Sequence, residues 1–236
     1  MRSRIMSEIT TIAASRRRFI AGAGASAALL ALPACQSMGG FSLVDAVRRL
    51  LYLSSERAFA RLTAPGGFWD QQVAAVGLSD MLGTRGGVLA SILTSSLFRD
   101  RLQHAFAGVA MRGAERAAPI VTDAVRVIGL DNAVALVRGG PTAATAFLRQ
   151  DMGTTLVEAM VPELGQAMRV AEEPLVGQLL AGLTGIDVAG VARNVSTTVD
   201  NAIWHEMGVE EAAIRANPQA TNDPLLIGVF GAAAAL

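Results

Sequence analysis

Few side chains in this sequence could do acid–base, nucleophilic or metal chemistry: two histidines, His104 and His205, one cysteine, Cys35, and scattered hydroxyls and carboxylates. Asp100 and His104 stand four apart and so share a helix face, a spacing that serves a local hydrogen bond better than a metal with no third ligand nearby. A ferritin-like dimetal centre needs paired Glu-x-x-His units on facing helices, but the residues three before the histidines are Arg101 and Ala202. His205-Glu206 lacks the second histidine of the zinc-protease helix motif. No Gly-x-Ser-x-Gly elbow presents a nucleophile. Gly139-Gly140-Pro141-Thr142 could free backbone amides for a phosphate. It has neither the lysine nor the length of a Walker loop, and it is read as the break between two helices. Glu206, Glu210 and Glu211 with Arg215 form an acidic run in which Glu211 and Arg215 make an i,i+4 pair; as a whole the run is read as a solvated helix face. Glu115 lies in an alanine-rich stretch and, if buried there, needs a partner such as Arg149 or Arg215. Candidate binding residues are therefore Glu115, Thr145, Arg149 and Arg215, with no catalytic residue, metal or cofactor assigned.

The scaffold that must position these groups is a 236-residue chain, 52% hydrophobic, 17% charged and only 5% aromatic, with 20 arginines, no lysine and 20 acids. That balance excludes a disordered chain, which needs low hydrophobicity and high net charge. A formal net charge of zero gives no basic face with which to displace counterions from nucleic acid.

Residues 1–34 have the three-part layout of an export signal. Arg16, Arg17 and Arg18 precede an uncharged run from Phe19 to Leu32, 14 residues long, short of the roughly 20 apolar residues a spanning helix needs. Ser15-Arg16-Arg17-Arg18-Phe19-Ile20 resembles the twin-arginine export motif. Leu32-Pro33-Ala34-Cys35 resembles a bacterial lipobox, which makes Cys35 the lipid-bearing first residue of the mature chain; simple cleavage after Ala34 is the rival. Gln36 in place of an aspartate implies the outer membrane by resemblance to the known sorting rule. Removing residues 1–34 takes away five arginines and Glu8, leaving 15 basic and 19 acidic groups, a net charge of −4. With its single cysteine spent on the anchor, the mature domain has no internal disulfide.

Residues 35–40 are a tether and residues 41–231 a single all-α domain, followed by a tail over 232–236. Apolar residues recur at helical spacing nearly throughout, and period-two alternation is scarce. Ser42-Leu43-Val44-Asp45 is a capping box opening a helix to Leu62, which Pro65-Gly66-Gly67 ends. Helical patterns follow over Phe68–Val76, Gly86–Leu97 and Phe98–Ala118, and Pro119 restarts the chain. Asp131 is expected to cap a segment to Arg138, and the next helix begins at Thr142. Pro162 and Pro174 mark further restarts. Asp187 caps a long helix ending near Asn217-Pro218, and Asp223-Pro224 opens a closing helix that Gly231 stops. The expected architecture is many short helices with two or three longer ones.

The stretch from Asp123 through Asp131, Gly139, Thr145 and Phe147 to Arg149 looks familiar. So do Ala114-Glu115 upstream, Pro162, and Glu210-Glu211-Ala-Ala-Ile214-Arg215-Ala-Asn217-Pro218 running on to Val229-Phe230-Gly231. Their order resembles the bacterial family called domain of unknown function 4197, over about Phe41 to Gly231. The chain departs from that pattern at Leu78-Ser79 and Arg112-Gly113. The resemblance implies an exported, often lipoprotein-like, helical protein and no particular activity. The expectation is a periplasm-facing, lipid-anchored domain that binds an envelope protein or a small apolar ligand between its helices. The alternative is a carboxylate-dependent enzyme such as a hydrolase, using Glu115 or Thr145.

Overall fold

A run of apolar residues at i, i+3, i+4 and i+7 opens the structured part of the chain and sets the first helix. The computed structural model describes residues 37–38, 41–82, 96–170 and 188–233. Ser37–Met38 (β1) pairs antiparallel with Phe41–Ser42 (β2), Ser37 opposite Ser42 and Met38 opposite Phe41. Ser42 then caps helix α1, Leu43–Leu62, its hydroxyl accepting from the Asp45 amide at 3.2 Å. One face of α1, from Leu43 through Leu50, Leu51 and Phe59 to Leu62, is buried. The turn after it needs glycine, because Gly66 and Gly67 take φ values of 141° and 78°. Trp69, on helix α2 (Phe68–Val76), donates its indole N–H to the Leu62 carbonyl at 2.8 Å and so closes the α1 terminus.

Helices α3 (Leu78–Leu82), α4 (Ser96–Val127), α5 (Ala133–Arg138), α6 (Ala143–Met152), α7 (Thr155–Val170) and α8 (Val188–Ala216) follow. A 3-10 turn over Pro218–Thr221 leads into α9, Pro224–Ala233. Most of the helix pattern over 86–97, Pro174 and Asp187 lie outside the described residues. Helix α8 is the axis of this all-α domain and packs against α7, α1, α4, α6 and α3. The side chains between them join one hydrophobic core running from Leu43 to Phe230. Small residues let the axes approach: a Cβ built on Gly113 of α4 would sit 3.3 Å from Leu164 of α7 and 3.3 Å from Val199 of α8. Among the described residues no helix is long and apolar enough to cross a membrane.

Several boundaries differ from the sequence expectation. Pro119 and Pro162 do not restart the chain; each lies inside a helix, α4 and α7 respectively. Both prolines are exposed, while the buried stripes Ala114, Ala117, Val121, Val125 and Leu156, Met160, Leu164, Met168 continue past them. Each large apolar side chain buried contributes roughly 1.5–3 kcal/mol, so a few of them outweigh the cost of about 3 kcal/mol for an interior proline. Asp131 does not cap α5; the cap position is Asn132, without a side-chain hydrogen bond. Gly231 does not stop α9, which continues to Ala233. Asp223 caps α9 as expected, its Oδ1 accepting from the amides of Leu225 at 3.0 Å and Leu226 at 3.3 Å. Burial pushes the Asp223 carboxyl up, but the Arg49 bond at 2.6 Å and those two amides outweigh it and hold it below the ordinary range.

Candidate functional site

Helices α6 and α8 lie side by side, and the residues that line the space between them fall on one stripe of each. On α8 these are Arg193, Thr197, Asp200, Asn201, Trp204, His205 and Gly208; on α6 they are Thr145, Ala146, Arg149 and Gln150. The spacings of three and four residues are those of a single helix face. The result is an open groove with two reaches. One, about 640 Å³, extends to Gly153, Thr154, Val157 and Glu158; the other, about 570 Å³, extends to Thr142 and Ala212. The two reaches meet at Ala146, Arg149 and Asn201.

Arg149 is the pivot of the groove. Its Nη2 donates to Asp200 Oδ2 at 3.1 Å and to Asn201 Oδ1 at 2.6 Å. The other Asp200 oxygen accepts from the Trp204 indole N–H at 2.7 Å. Asp200 is 6% exposed. Burial pushes its carboxyl above the ordinary value, against the lowering effect of the Trp204 bond and the Arg149 charge. A raised folded-state value means that the folded protein favours the protonated acid. Stability from this group is therefore present below the ordinary aspartate value of 3.8 and is lost as the pH rises through the raised one. Relative to Asp200→Asn, the wild-type chain should lose stability steadily as the pH is raised across that window. Urea unfolding of both proteins at a series of pH values checks this; a wild-type stability that stays flat or rises with pH relative to the variant contradicts it.

Thr145 and Arg149 both line this groove, as the sequence brought them forward together. Thr145 is 3% exposed, and its hydroxyl has no hydrogen-bond partner among the described residues. Glu115 is not with them: it stands exposed on α4 and does not line the groove. Burial there falls to Ala114 and Ala117, which share the inward stripe of α4.

Arg215 belongs to a different assembly, in which the reading of the acidic run as a solvated face is overturned. Glu206 is 6% exposed and Glu211 is fully buried. Arg61 of α1 reaches across to Glu206 Oε2 at 2.9 Å and Glu210 Oε1 at 3.0 Å. The Glu211 carboxylate accepts from the Ala144 amide at 3.0 Å and the Thr145 amide at 2.7 Å, the N-terminal donors of α6. Arg215 holds the same carboxylate at 2.8 Å and donates to the carbonyls of Leu136 at 2.8 Å and Val137 at 3.0 Å, at the C-terminal end of α5. An anion at one helix start and a cation at the neighbouring helix end both suit the backbone dipoles. Phe230 of α9 lies 4.8 Å from the guanidinium and completes the clip. The Gly139-Gly140-Pro141-Thr142 turn is thus helix punctuation, and the Ala144 and Thr145 amides of the helix it opens are met by the protein's own carboxylate. Gly208 makes this possible, since a Cβ there would lie 3.2 Å from Thr142.

His104 pairs with Asp70 at 2.9 Å, not with Asp100, which sits one turn earlier on α4. His205 is exposed at the groove. Among the described residues no three His, Cys, Asp or Glu side chains are grouped to hold a metal. Cys35, Arg16, Arg17 and Phe19 lie outside the described residues. The sequence reading missed Arg193, Thr197, Asp200 and Asn201. Their signal was available as a polar i, i+4, i+7, i+8 stripe on a helix otherwise read for its valines.

This fold and site define an all-α domain whose buried acids are matched from within and whose central helix borders an open groove with Arg149 at its middle. A family model described as "Protein of unknown function (DUF4197)" matches residues 37–231, and the chain belongs to that family. No curated protein and no solved structure matches the chain.

Proposed function

We propose that this chain is exported by the twin-arginine route on residues 1–34, anchored by lipid at Cys35 on the periplasmic side of the outer membrane, and acts there as a binding module through the α6–α8 groove. The leader and anchor rest on Arg16, Arg17, Phe19 and the Leu32-Pro33-Ala34-Cys35 segment. The family match starts at residue 37, two residues beyond Cys35, which suits a leader and anchor outside the folded domain. The observation that carries the binding reading is the groove at Arg149, with guanidinium donors still open, while Glu206, Glu210 and Glu211 are engaged in holding helices together. The occupant is a small molecule, or a segment of an envelope protein, that brings a polar group to Arg149.

Recovery of the native protein from the envelope, with mass spectrometry of its N-terminus and identification of what accompanies it, tests both halves. The expected result is Cys35 as the first residue, carrying a diacylglyceryl group, and a companion molecule that Arg149→Gln fails to retain. A free Cys35 thiol would overturn the anchor. Equal retention by wild type and Arg149→Gln, or no companion at all, would overturn the groove.

A further inference from the structure

We propose that the α6–α8 groove recognises a small oxyanion, a phosphate or carboxylate group of its ligand, held between the guanidinium groups of Arg149 and Arg193; this rests on the groove being a binding site. Both arginines line the same reach of about 640 Å³. Arg193 is exposed there, and its side chain has no ion-pair or hydrogen-bond partner among the described residues. Arg149 uses Nη2 for Asp200 and Asn201, which leaves Nε and Nη1 unengaged.

Two acids, Asp200 and Glu158, share this reach with the two arginines, but neither occupies the unengaged guanidinium donors. Asp200 has both oxygens occupied, by Trp204 and by Arg149. Glu158 accepts from the Thr154 hydroxyl at 2.7 Å and pairs with no arginine among the described residues. Arg193 therefore presents its whole guanidinium to the groove, with no carboxylate among the described residues bonded to it. Asn201 gives its side-chain oxygen to Arg149, so its amide N–H donors are free for an acceptor, and Gln150 adds a second amide at the rim. Planar guanidinium forks backed by amide donors match the paired oxygens of a carboxylate or phosphate, and such charge-assisted bonds are about twice as strong as neutral ones.

Titration of the full chain with inorganic phosphate and, separately, with succinate at fixed ionic strength tests this, read by the ¹⁵N signals of the arginine Nε groups. The expected result is a saturable shift of the Arg149 and Arg193 signals with at least one probe, weakened about tenfold by Arg193→Ala, the loss of one charge-assisted contact. Arg193 is exposed, so its truncation leaves the fold intact, and the far-ultraviolet circular dichroism of the variant verifies that. Saturation by phosphate alone assigns a phosphate group, and by succinate alone a carboxylate. A linear response to both probes, or equal affinity in wild type and Arg193→Ala, overturns the inference. If the native protein nevertheless retains a companion that Arg149→Gln loses, the groove still binds and only the oxyanion assignment has failed.

Discussion

Replacing Glu211 by alanine is expected to lower the free energy of unfolding by about 3–5 kcal/mol, the cost of breaking a buried ion pair from one side. The carboxylate is fully buried and meets two α6 amides and Arg215 at 2.7–3.0 Å. Its removal leaves those amides without an acceptor, at roughly 1–3 kcal/mol for each buried group left unsatisfied. It also leaves the Arg215 side chain, only 10% exposed, without its anion. The Leu136 and Val137 carbonyls and the Phe230 ring still face that guanidinium, which keeps the loss from growing further. Glu211→Gln should lose less, because its amide oxygen can still accept from one α6 amide. Urea denaturation, with midpoint and slope compared against wild type, measures both. A loss for Glu211→Ala under about 1 kcal/mol, the scale of a surface ion pair, would restore the reading of this run as a solvated face.

The difference between those two readings of Glu211 shows what the sequence could and could not convey. Helix α1 was legible to its ends because every local signal agreed: a serine cap, a 3.6-residue apolar stripe, and a proline–glycine turn. The i,i+4 pairing of Glu211 with Arg215 was legible for the same reason, being local. Its burial was not, because that depends on Leu136, Val137, Ala144 and Phe230, which approach only when α5, α6, α8 and α9 pack. Alanine-rich helices make the problem worse, since a small residue tolerates either face and periodicity says little about which side faces inward. Glu115 illustrates this: Ala114 and Ala117 turn inward and carry it to the outside. For the groove, Thr145 and Arg149 could be singled out as polar residues on a short helix. The Arg149 partners Asp200 and Asn201 lie some fifty positions later, on a stripe that local pattern alone assigns to solvent.

Pro162→Ala is expected to stabilise the protein by about 2 kcal/mol. A proline inside a helix costs about 3 kcal/mol, through the missing N–H and the clash of its ring with the carbonyl four residues earlier, here that of Glu158. Alanine gives back the bond and removes the clash. It also makes the unfolded chain more flexible, which returns roughly 0.4–1 kcal/mol of the gain. Pro162 is exposed, so the shorter side chain opens no cavity. The stripe that holds α7 helical, Leu156, Met160, Leu164 and Met168, stays in the core on either side. Pro119→Ala in α4 should act in the same direction, since that proline is also exposed inside a helix. Pro141→Ala should not, because Pro141 precedes the first residue of α6, where its missing N–H interrupts no helical bond and only the unfolded-state term remains. Chemical denaturation of the three variants separates the effects. A Pro162→Ala protein no more stable than wild type would mean that the packing of Leu164 and Met168 in the core is adapted to the proline, and that the core, having overruled it, has come to depend on it.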